Sequence, residues 1–188
     1  MKITESDMPD EDSWKIFFDP YKILITLGLN NKITDVAEFG CGYGTFTIPA
    51  AKMIGGTVYA IDIEPKMVEI TQKKAKESRL NNVKTMLRDF ISEGSGLEEE
   101  SVSYVMLFNI LHSDKAKKLI EETYRILRPG GKVGILHWNY DPSTPRGPPI
   151  NIRLKPAQCV GLAISSGFKN PQLYDLTPYH YGIVSTKG

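Results

Sequence analysis

The segment Val36–Gly44, VAEFGCGYG, has the residue types of a ligand-binding turn between a strand and a helix. Its glycines allow the backbone to turn sharply and to approach a ligand closely. Their spacing differs from the dinucleotide fingerprint G-x-G-x-x-G/A, because the third glycine, Gly44, comes one residue early. Glu38 stands two positions before Gly40, where a carboxylate would face a cationic group and not a pyrophosphate. The segment therefore predicts a ligand with an amino group and no phosphate.

Two further acidic residues follow later predicted strands. Asp62 ends the second strand, and a carboxylate there can accept two hydrogen bonds from the diol of a ribose. Asp89 follows the third strand and precedes Phe90, so an acceptor lies next to an apolar ring. That pair could bind the exocyclic amine of an adenine and cover its face. Amine, ribose and adenine together indicate S-adenosylmethionine.

The motifs resemble those of the class I S-adenosylmethionine-dependent methyltransferases, and most of all the compact UbiE-like methyltransferase domain proteins. The similarity covers about residues 20–188 in order. One departure is Ser103-Tyr104, at the start of the fourth strand, where the family often has an Asp; we expect that change to affect packing only. The resemblance is carried by EFGCGYGTFTIPAAKMIGGTVYAIDIEPKMV, RDF at 88–90, SVSYVMLFNILH at 101–112 and YRILRPGGKVGILHW at 124–138.

The resemblance implies S-adenosylmethionine as cofactor, S-adenosylhomocysteine as product, and particular roles for the matching residues. In the family these positions contact the methionine moiety, its amino group, the ribose and the adenine. They correspond here to Gly40 and Gly42 for the methionine moiety, Glu38 for the amino group, Asp62 for the ribose, Ile63 for one flank of the adenine, Asp89 and Phe90 for the edge and face of the base, and Asn109 for the border between methionine and acceptor.

Short β-branched runs alternate with longer amphipathic stretches, which is typical of a doubly wound α/β sheet. Only three residues separate the last two runs, so they predict a hairpin and an antiparallel last strand. We therefore expect a mostly parallel seven-stranded sheet with the Rossmann-like methyltransferase fold. The predicted strands are 36–40, 57–62, 83–88, 101–108, 132–138, 171–176 and 180–186, and the predicted helices between them are 45–54, 66–79, 115–127 (stopped by Pro129-Gly130-Gly131) and 156–166.

The chain has 188 residues, a length that suits one sizeable core. We expect a single domain over residues 1–188. Apolar residues at helical intervals over 14–29 predict that residues 1–33 form an N-terminal helical cover, with Ser13 as a helix N-cap and Pro20 at a break between two helices.

Composition argues against several classes of protein. The net charge of +1 makes a nucleic-acid partner unlikely. No apolar run approaches the length of a membrane span, and the acidic opening MKITESDMPDED is unlike a signal peptide. The two cysteines and three histidines show no metal-ligand spacing, so we expect no metal site. We expect a cytoplasmic protein.

Polar and aromatic residues should converge where the later strands end at the edge that carries the glycine turn. They are grouped in Asn109–His112, His137–Tyr140 and Pro178–Tyr181. We expect a pocket for a small-molecule acceptor there, with His112 and His180 as candidate general bases. A base is needed only if the acceptor must lose a proton.

Other interpretations remain open at the level of sequence. The glycine segment could be a structural turn, Asp62 and Asp89 could each be a helix N-cap, and His112 could be a cap. His137 is more typical of a core histidine, and Cys41 of a small filler. The alternative functions are an NAD-dependent reductase, which the glycine spacing disfavours, and a non-catalytic module that binds a nucleoside cofactor.

Overall fold

The computed structural model describes residues 10–112 and 115–188, and helices and strands alternate along most of this part of the chain. Two short helices precede the first strand. The elements are α1 (Glu11–Lys15), α2 (Pro20–Thr26), β1 (Val36–Phe39), α3 (Thr47–Met53), β2 (Val58–Asp62), α4 (Pro65–Glu77), β3 (Val83–Leu87), β4 (Val102–Phe108), α5 (Ala116–Ile126), β5 (Leu127–Trp138), α6 (Pro156–Ser165), β6 (Phe168–Leu176) and β7 (His180–Lys187).

The described strands form one seven-stranded sheet with the order β3-β2-β1-β4-β5-β7-β6. Strands β1 to β5 pair in parallel, whereas β7 is antiparallel to both of its neighbours. The predicted doubly wound α/β sheet with an antiparallel last strand is confirmed. Because β1 and β4 are adjacent at the centre and their crossovers lead to opposite sides, their carboxyl ends border the crevice in which such sheets bind ligands.

Both faces of the sheet are buried, as expected for parallel strands that are covered by helices on each side. Residues that alternate along a strand enter two separate apolar clusters. Leu107 and Ile135 pack with α5 and α6 on one face. Met106 and Leu136, their neighbours in sequence, pack with α2 and α3 on the other. This alternation decides on which side each residue at a strand end emerges.

Two details of the predicted elements are wrong. The N-cap of α1 is Asp10, whose carboxylate accepts from the backbone N–H of Ser13, so Ser13 is the capped residue and not the cap. Strand β5 begins at Leu127 and not at residue 132, so helix α5 ends at Ile126, one residue before its predicted end. The Pro-Gly-Gly residues lie within β5, where the pairing with β4 shifts register. The break at Pro20 is confirmed, since Pro20 is the first residue of α2.

A buried tyrosine attaches the N-terminal helices to the sheet. The hydroxyl of Tyr104, on β4, donates to the carbonyl of Leu27 just beyond α2 at 2.8 Å. Its ring occupies the space left by Gly134 on β5, where an added Cβ would lie 1.9 Å from the hydroxyl oxygen. Tyr104, at the position of the family departure, therefore fixes the chain just after α2 as well as filling the core.

Replacing Tyr104 with Phe should lower the free energy of unfolding by about 1–2 kcal/mol, because the carbonyl of Leu27 loses a buried donor. Urea unfolding measures the change. The matched control is Tyr21→Phe, on the exposed side of α2, which should stay within about 0.5 kcal/mol of the wild type. Equal effects of the two variants would show that the Tyr104 hydroxyl does not anchor the cover.

Candidate functional site

The turn after β1 lies at the carboxyl edge of the sheet and is bonded to β2. The backbone N–H groups of Gly40 and Cys41 both donate to the carbonyl of Ile61. Gly40, Gly42 and Gly44 all have positive φ, which side-chain-bearing residues rarely adopt. A Cβ added to Gly40 would lie 3.0 Å from the side chain of Ile110, after β4. The glycines therefore keep the backbone in an unusual path and let the side chains of Ile110 and Thr71 pack closely against it.

Asp62, at the end of β2, holds this turn from the side. One carboxylate oxygen accepts from the N–H of Gly42 at 2.8 Å, and the other from the N–H of Glu64 at 3.0 Å. The hydroxyl of Thr71, on α4, donates to the carbonyl of Gly42 at 2.9 Å. The alternative that Asp62 is a helix N-cap is wrong, since the N-cap of α4 is Glu64. Each oxygen of Asp62 keeps lone-pair capacity for a further donor. Its role towards a ribose stays a prediction.

Glu38, on β1, is a buried carboxyl that no cation neutralises. Only 2% of the residue is exposed, and Thr47 donates a hydrogen bond to it. Burial raises its pKa to about 8, although the bond from Thr47 acts in the opposite direction; the nearby charge of Asp62 raises the pKa further. The carboxyl is therefore neutral at pH 7. Ionisation becomes favourable when a positive group approaches, which agrees with the predicted contact to an amino group.

Asp89 and Phe90 follow β3, and the structure gives each of them a local partner. One oxygen of Asp89 accepts from the N–H groups of Ile91 and Ser92 in a turn, and no helix lies in the described residues between β3 and β4 for Asp89 to cap. Hydrogen bonds from Ser92 lower its pKa, and it is ionised. The ring of Phe90 is buried against Phe39, with ring centroids 5.3 Å apart. Contacts of this pair with an adenine stay a prediction, as does that of half-buried Ile63.

Asn109 has a buried side-chain amide that is available to bind a ligand. It follows β4 with a φ of 57°, which is costly for a residue with a side chain. Its carboxamide oxygen and nitrogen are both buried without a partner. An unpartnered buried polar atom costs about 1–3 kcal/mol, so native structures usually supply it with water or a ligand.

Two histidines belong to the same edge and the same side of the sheet as Asn109. Nδ1 of His112 and Nε2 of His137 are buried without a partner. Nδ1 of His137 lies 3.2 Å from the carbonyl of Trp138, which places the proton on Nδ1 and a lone pair on Nε2. Burial lowers the pKa of His112, and lowers that of His137 to about 4. Both rings are neutral at pH 7 and can accept from a hydroxyl.

His180, the other candidate base, lies on the opposite side of the sheet in an aromatic cluster. Its ring centroid is 4.3 Å from that of Trp138 and 4.8 Å from that of Phe18. Burial lowers its pKa to about 3, and its Nε2 has no partner. The structure thus separates His112 and His180 into two surroundings, one polar and one aromatic. The catalytic role of each stays a prediction.

Arg153 is a buried residue of this edge that sequence reasoning missed. Its guanidinium donates to the carbonyls of Asn139, Asp141, Arg146 and Pro148, and lies 5.9 Å from the centre of the Trp138 ring. Arg153 therefore fixes the loop between β5 and α6, which is rich in proline, beside the candidate acceptor pocket. No sequence pattern distinguishes an arginine that binds carbonyls from an exposed one.

The residues present fit S-adenosylmethionine. The glycine turn follows a path with positive φ at three residues, Glu38 lacks a cationic partner among the groups that shift its pKa, and the carboxamide of Asn109 has no partner. The methionine end of such a cofactor carries an amino group and a carboxylate, and these chemistries complement each other. Glu38, Gly40, Gly42, Asp62 and Asn109 are thus the residues that would hold it.

Comparisons with known proteins identify the family of the chain. The family model for the methyltransferase domain matches residues 36–131. The demethylmenaquinone methyltransferase of Lactobacillus johnsonii is 29% identical over 167 residues, which are 77% of this chain and 66% of that protein. The aklanonic acid methyltransferase of a Streptomyces species is 34% identical over 101 residues, or 52% of this chain and 45% of that protein. The chain thus spans about half to two thirds of these relatives.

The fold has close structural counterparts. A crystal structure of an S-adenosylmethionine-dependent methyltransferase from Aquifex aeolicus superposes with a TM-score of 0.83, covering 95% of this chain and 94% of the other. The two sequences are 24% identical, so the likeness concerns the fold.

The buried proton of Glu38 predicts a particular dependence of stability on pH. An unfolded glutamate ionises near 4.5, whereas folded Glu38 does so near 8. Between these values the folded state holds a proton that the unfolded state has lost, so the free energy of unfolding decreases as pH rises, by at most about 1.4 kcal/mol per pH unit. Glu38→Gln should lack this decrease.

Urea unfolding of the wild type and the Glu38→Gln variant at several values between about pH 5 and pH 8 measures the effect. The stability difference, wild type minus variant, should fall steadily over the range. Glu98→Gln, an exposed position, should instead run parallel to the wild type. A parallel profile for Glu38→Gln would mean that Glu38 is already ionised in the folded chain.

Proposed function

Since this chain belongs to the methyltransferase domain family, we propose that it transfers the methyl group of S-adenosylmethionine to a small-molecule acceptor at the carboxyl edge of the sheet. The family resemblance inferred from the motifs is confirmed by the model that matches residues 36–131, and the class I methyltransferase fold by the structural likeness. The activity of the whole protein, its acceptor and its partners are part of the proposal, because the relatives are longer than the matched region.

One observation carries the proposal: a neutral, buried carboxyl that directly precedes a turn whose three glycines have positive φ. A pyrophosphate would meet a carboxyl at Glu38 unfavourably, whereas an ammonium group draws out its proton and gains a charge-assisted hydrogen bond. Glu38 is within two residues of Gly40, so both belong to the same ligand end. This favours an amino-acid-bearing nucleoside over NAD.

S-adenosylmethionine, when bound, supplies a methyl carbon that its positive sulfur makes electrophilic. The task of the protein is therefore mainly to position the acceptor, and positioning alone can lower the barrier by roughly 7–11 kcal/mol. Asn109 can hold an acceptor or the methionine end by its amide. His112 or His180 can take a proton from a hydroxyl, an acidic carbon or an ammonium, while a sulfur acceptor needs no base.

The surroundings of the edge favour a neutral or anionic acceptor with an apolar body. The guanidinium of Arg153 acts on both His137 and His180, and its positive charge disfavours a cationic acceptor. Trp138 and Tyr179 present aromatic rings beside them. The substrates in the names of the Lactobacillus and Streptomyces relatives are also small molecules, which supports this class without identifying the acceptor.

The same proposal treats residues 1–188 as one methyltransferase domain in the cytoplasm, with residues 1–33 as a cover. Both cysteines are free thiols, which suits a reducing compartment. Among the described residues, no helix combines the length and the apolarity needed to span a bilayer.

Calorimetric titration distinguishes the proposed cofactor from the alternative. S-adenosylmethionine and S-adenosylhomocysteine should bind, and NADH should not. Asp62→Ala should weaken binding by about 1.5–3 kcal/mol, or roughly 10- to 150-fold in Kd, because a charge-assisted contact and the support of Gly42 are lost. The control, Glu98→Ala, removes a carboxylate just before β4 and should leave Kd unchanged. Binding of NADH alone would overturn the assignment, and unchanged affinity of Asp62→Ala would remove Asp62 from the site.

Turnover separates an enzyme from a module that only binds the nucleoside. Incubation of the protein with methyl-labelled cofactor and a metabolite extract should label a small molecule. With that acceptor, His112→Ala or His180→Ala should lower kcat by about 10²–10⁴-fold and leave the Kd of the cofactor unchanged. If the binding site is saturated and no label moves, the binding-module alternative is favoured. If neither variant slows transfer, neither His112 nor His180 acts as the base.

A further inference from the structure

Helix α1 lies between the glycine turn and the aromatic residues of the acceptor side, and it touches both through side chains. On the first side, the ammonium of Lys74, on α4, forms an ion pair with Glu11 of α1. The same ammonium donates to the carbonyl of Tyr43 in the glycine turn at 2.8 Å. One cation thus connects the helix to the turn.

Helix α4 contacts the glycine turn through two residues, Thr71 and, three residues later, Lys74. Thr71 donates to the carbonyl of Gly42, and Lys74 donates to the next carbonyl, that of Tyr43. Residues three apart share one face of a helix, so both donors project from the same side of α4. A shift of the glycine turn therefore moves the acceptor of Lys74, and with it the partner of Glu11.

On the second side, Trp14 of α1 and Phe17, which follows the helix, pack against aromatic residues of the acceptor edge. The ring centroid of Trp14 is 6.3 Å from that of Trp138. Phe17 lies 5.5 Å from Trp138 and 5.5 Å from Tyr179 by the same measure. Trp138 is only 1% exposed, so these rings form part of its cover.

Nothing within α1 itself keeps it in place. The helix has five residues and none of them is buried. A helix of that length is unstable alone, so its position depends on the ion pair and the aromatic contacts. Segments with few buried contacts open at low free-energy cost, and a partly exposed ion pair is worth well under the energy of a core contact.

We propose that Lys74 is a positioning residue that couples the cofactor turn to closure of α1 over the acceptor edge. Occupancy of the turn holds the carbonyl of Tyr43 in place, Lys74 then retains Glu11, and the rings of Trp14 and Phe17 cover Trp138. This inference rests on the proposed function only in that the turn must bind S-adenosylmethionine or its product.

Tryptophan fluorescence reports this closure, because the chain has two tryptophans, Trp14 and Trp138, and both take part in it. Acrylamide quenching of their fluorescence is measured with and without S-adenosylhomocysteine, and stopped flow gives its dissociation rate. In the wild type the ligand should reduce quenching. In Lys74→Met the ligand should still bind, its dissociation should be about two- to fivefold faster, and quenching should no longer respond.

Lys73→Met is the matched control, since Lys73 is the preceding residue of α4 and pairs on the surface with Glu77. It should behave as the wild type. Glu11→Gln should resemble Lys74→Met, and the double variant should add little to either, as expected for residues that act together. Thermal unfolding of each variant verifies that the fold is intact.

The outcomes separate the two proposals. If S-adenosylhomocysteine fails to bind the wild type, the proposed function and this inference both fall. If it binds but leaves quenching unchanged, or if Lys74→Met responds as Lys73→Met does, the proposed function stands and the coupling through Lys74 is wrong. Additive effects of Glu11→Gln and Lys74→Met would also overturn the coupling.

Discussion

The hydrogen bond from the N–H of Gly42 to the carboxylate of Asp62 is the contact on which the candidate site depends. It joins the turn after β1 to the end of β2, and it exists because the two strands are parallel neighbours whose carboxyl ends coincide. Three glycines with positive φ could take many paths, and this bond selects one of them. Glu38, Thr71 and Lys74 find their partners only when the turn follows that path.

Burial keeps several polar groups of the site neutral, beside the ionised carboxylate of Asp89 and the guanidinium of Arg153. Glu38 keeps its proton at pH 7, and the histidines of the edge lose theirs, in each case because burial disfavours the charged form. The backbone N–H groups of Gly42 and Glu64 fix the orientation of the Asp62 carboxylate. Because Glu38 and the histidines are neutral at pH 7, a ligand that brings a positive sulfur and an ammonium group would add charge where these groups have none.

Much of the fold could be predicted from the sequence because the signals were local. The alternation of apolar runs located the strands, and a three-residue connection required the hairpin of β6 and β7. Helix ends were less predictable, since Asp10 and Ser13 are both good caps and only the backbone path decides between them. The glycine turn and the acids at 38, 62 and 89 were visible as motifs. The unpartnered amide of Asn109, the carbonyl ligands of Arg153 and the reach of Lys74 to Glu11 depend on contacts between distant segments, which no spacing rule reveals.

The neutral state of Glu38 implies that ligand capture and hydrogen-ion exchange are linked. If an ammonium group settles beside this carboxyl, the proton that burial had retained is released to the buffer. Apparent affinity should then climb with rising pH until the carboxyl is ionised without help, near 8. The heat of association would also vary with the ionisation enthalpy of the buffer. The acidity of Glu38 would thus depend on whether a ligand is bound.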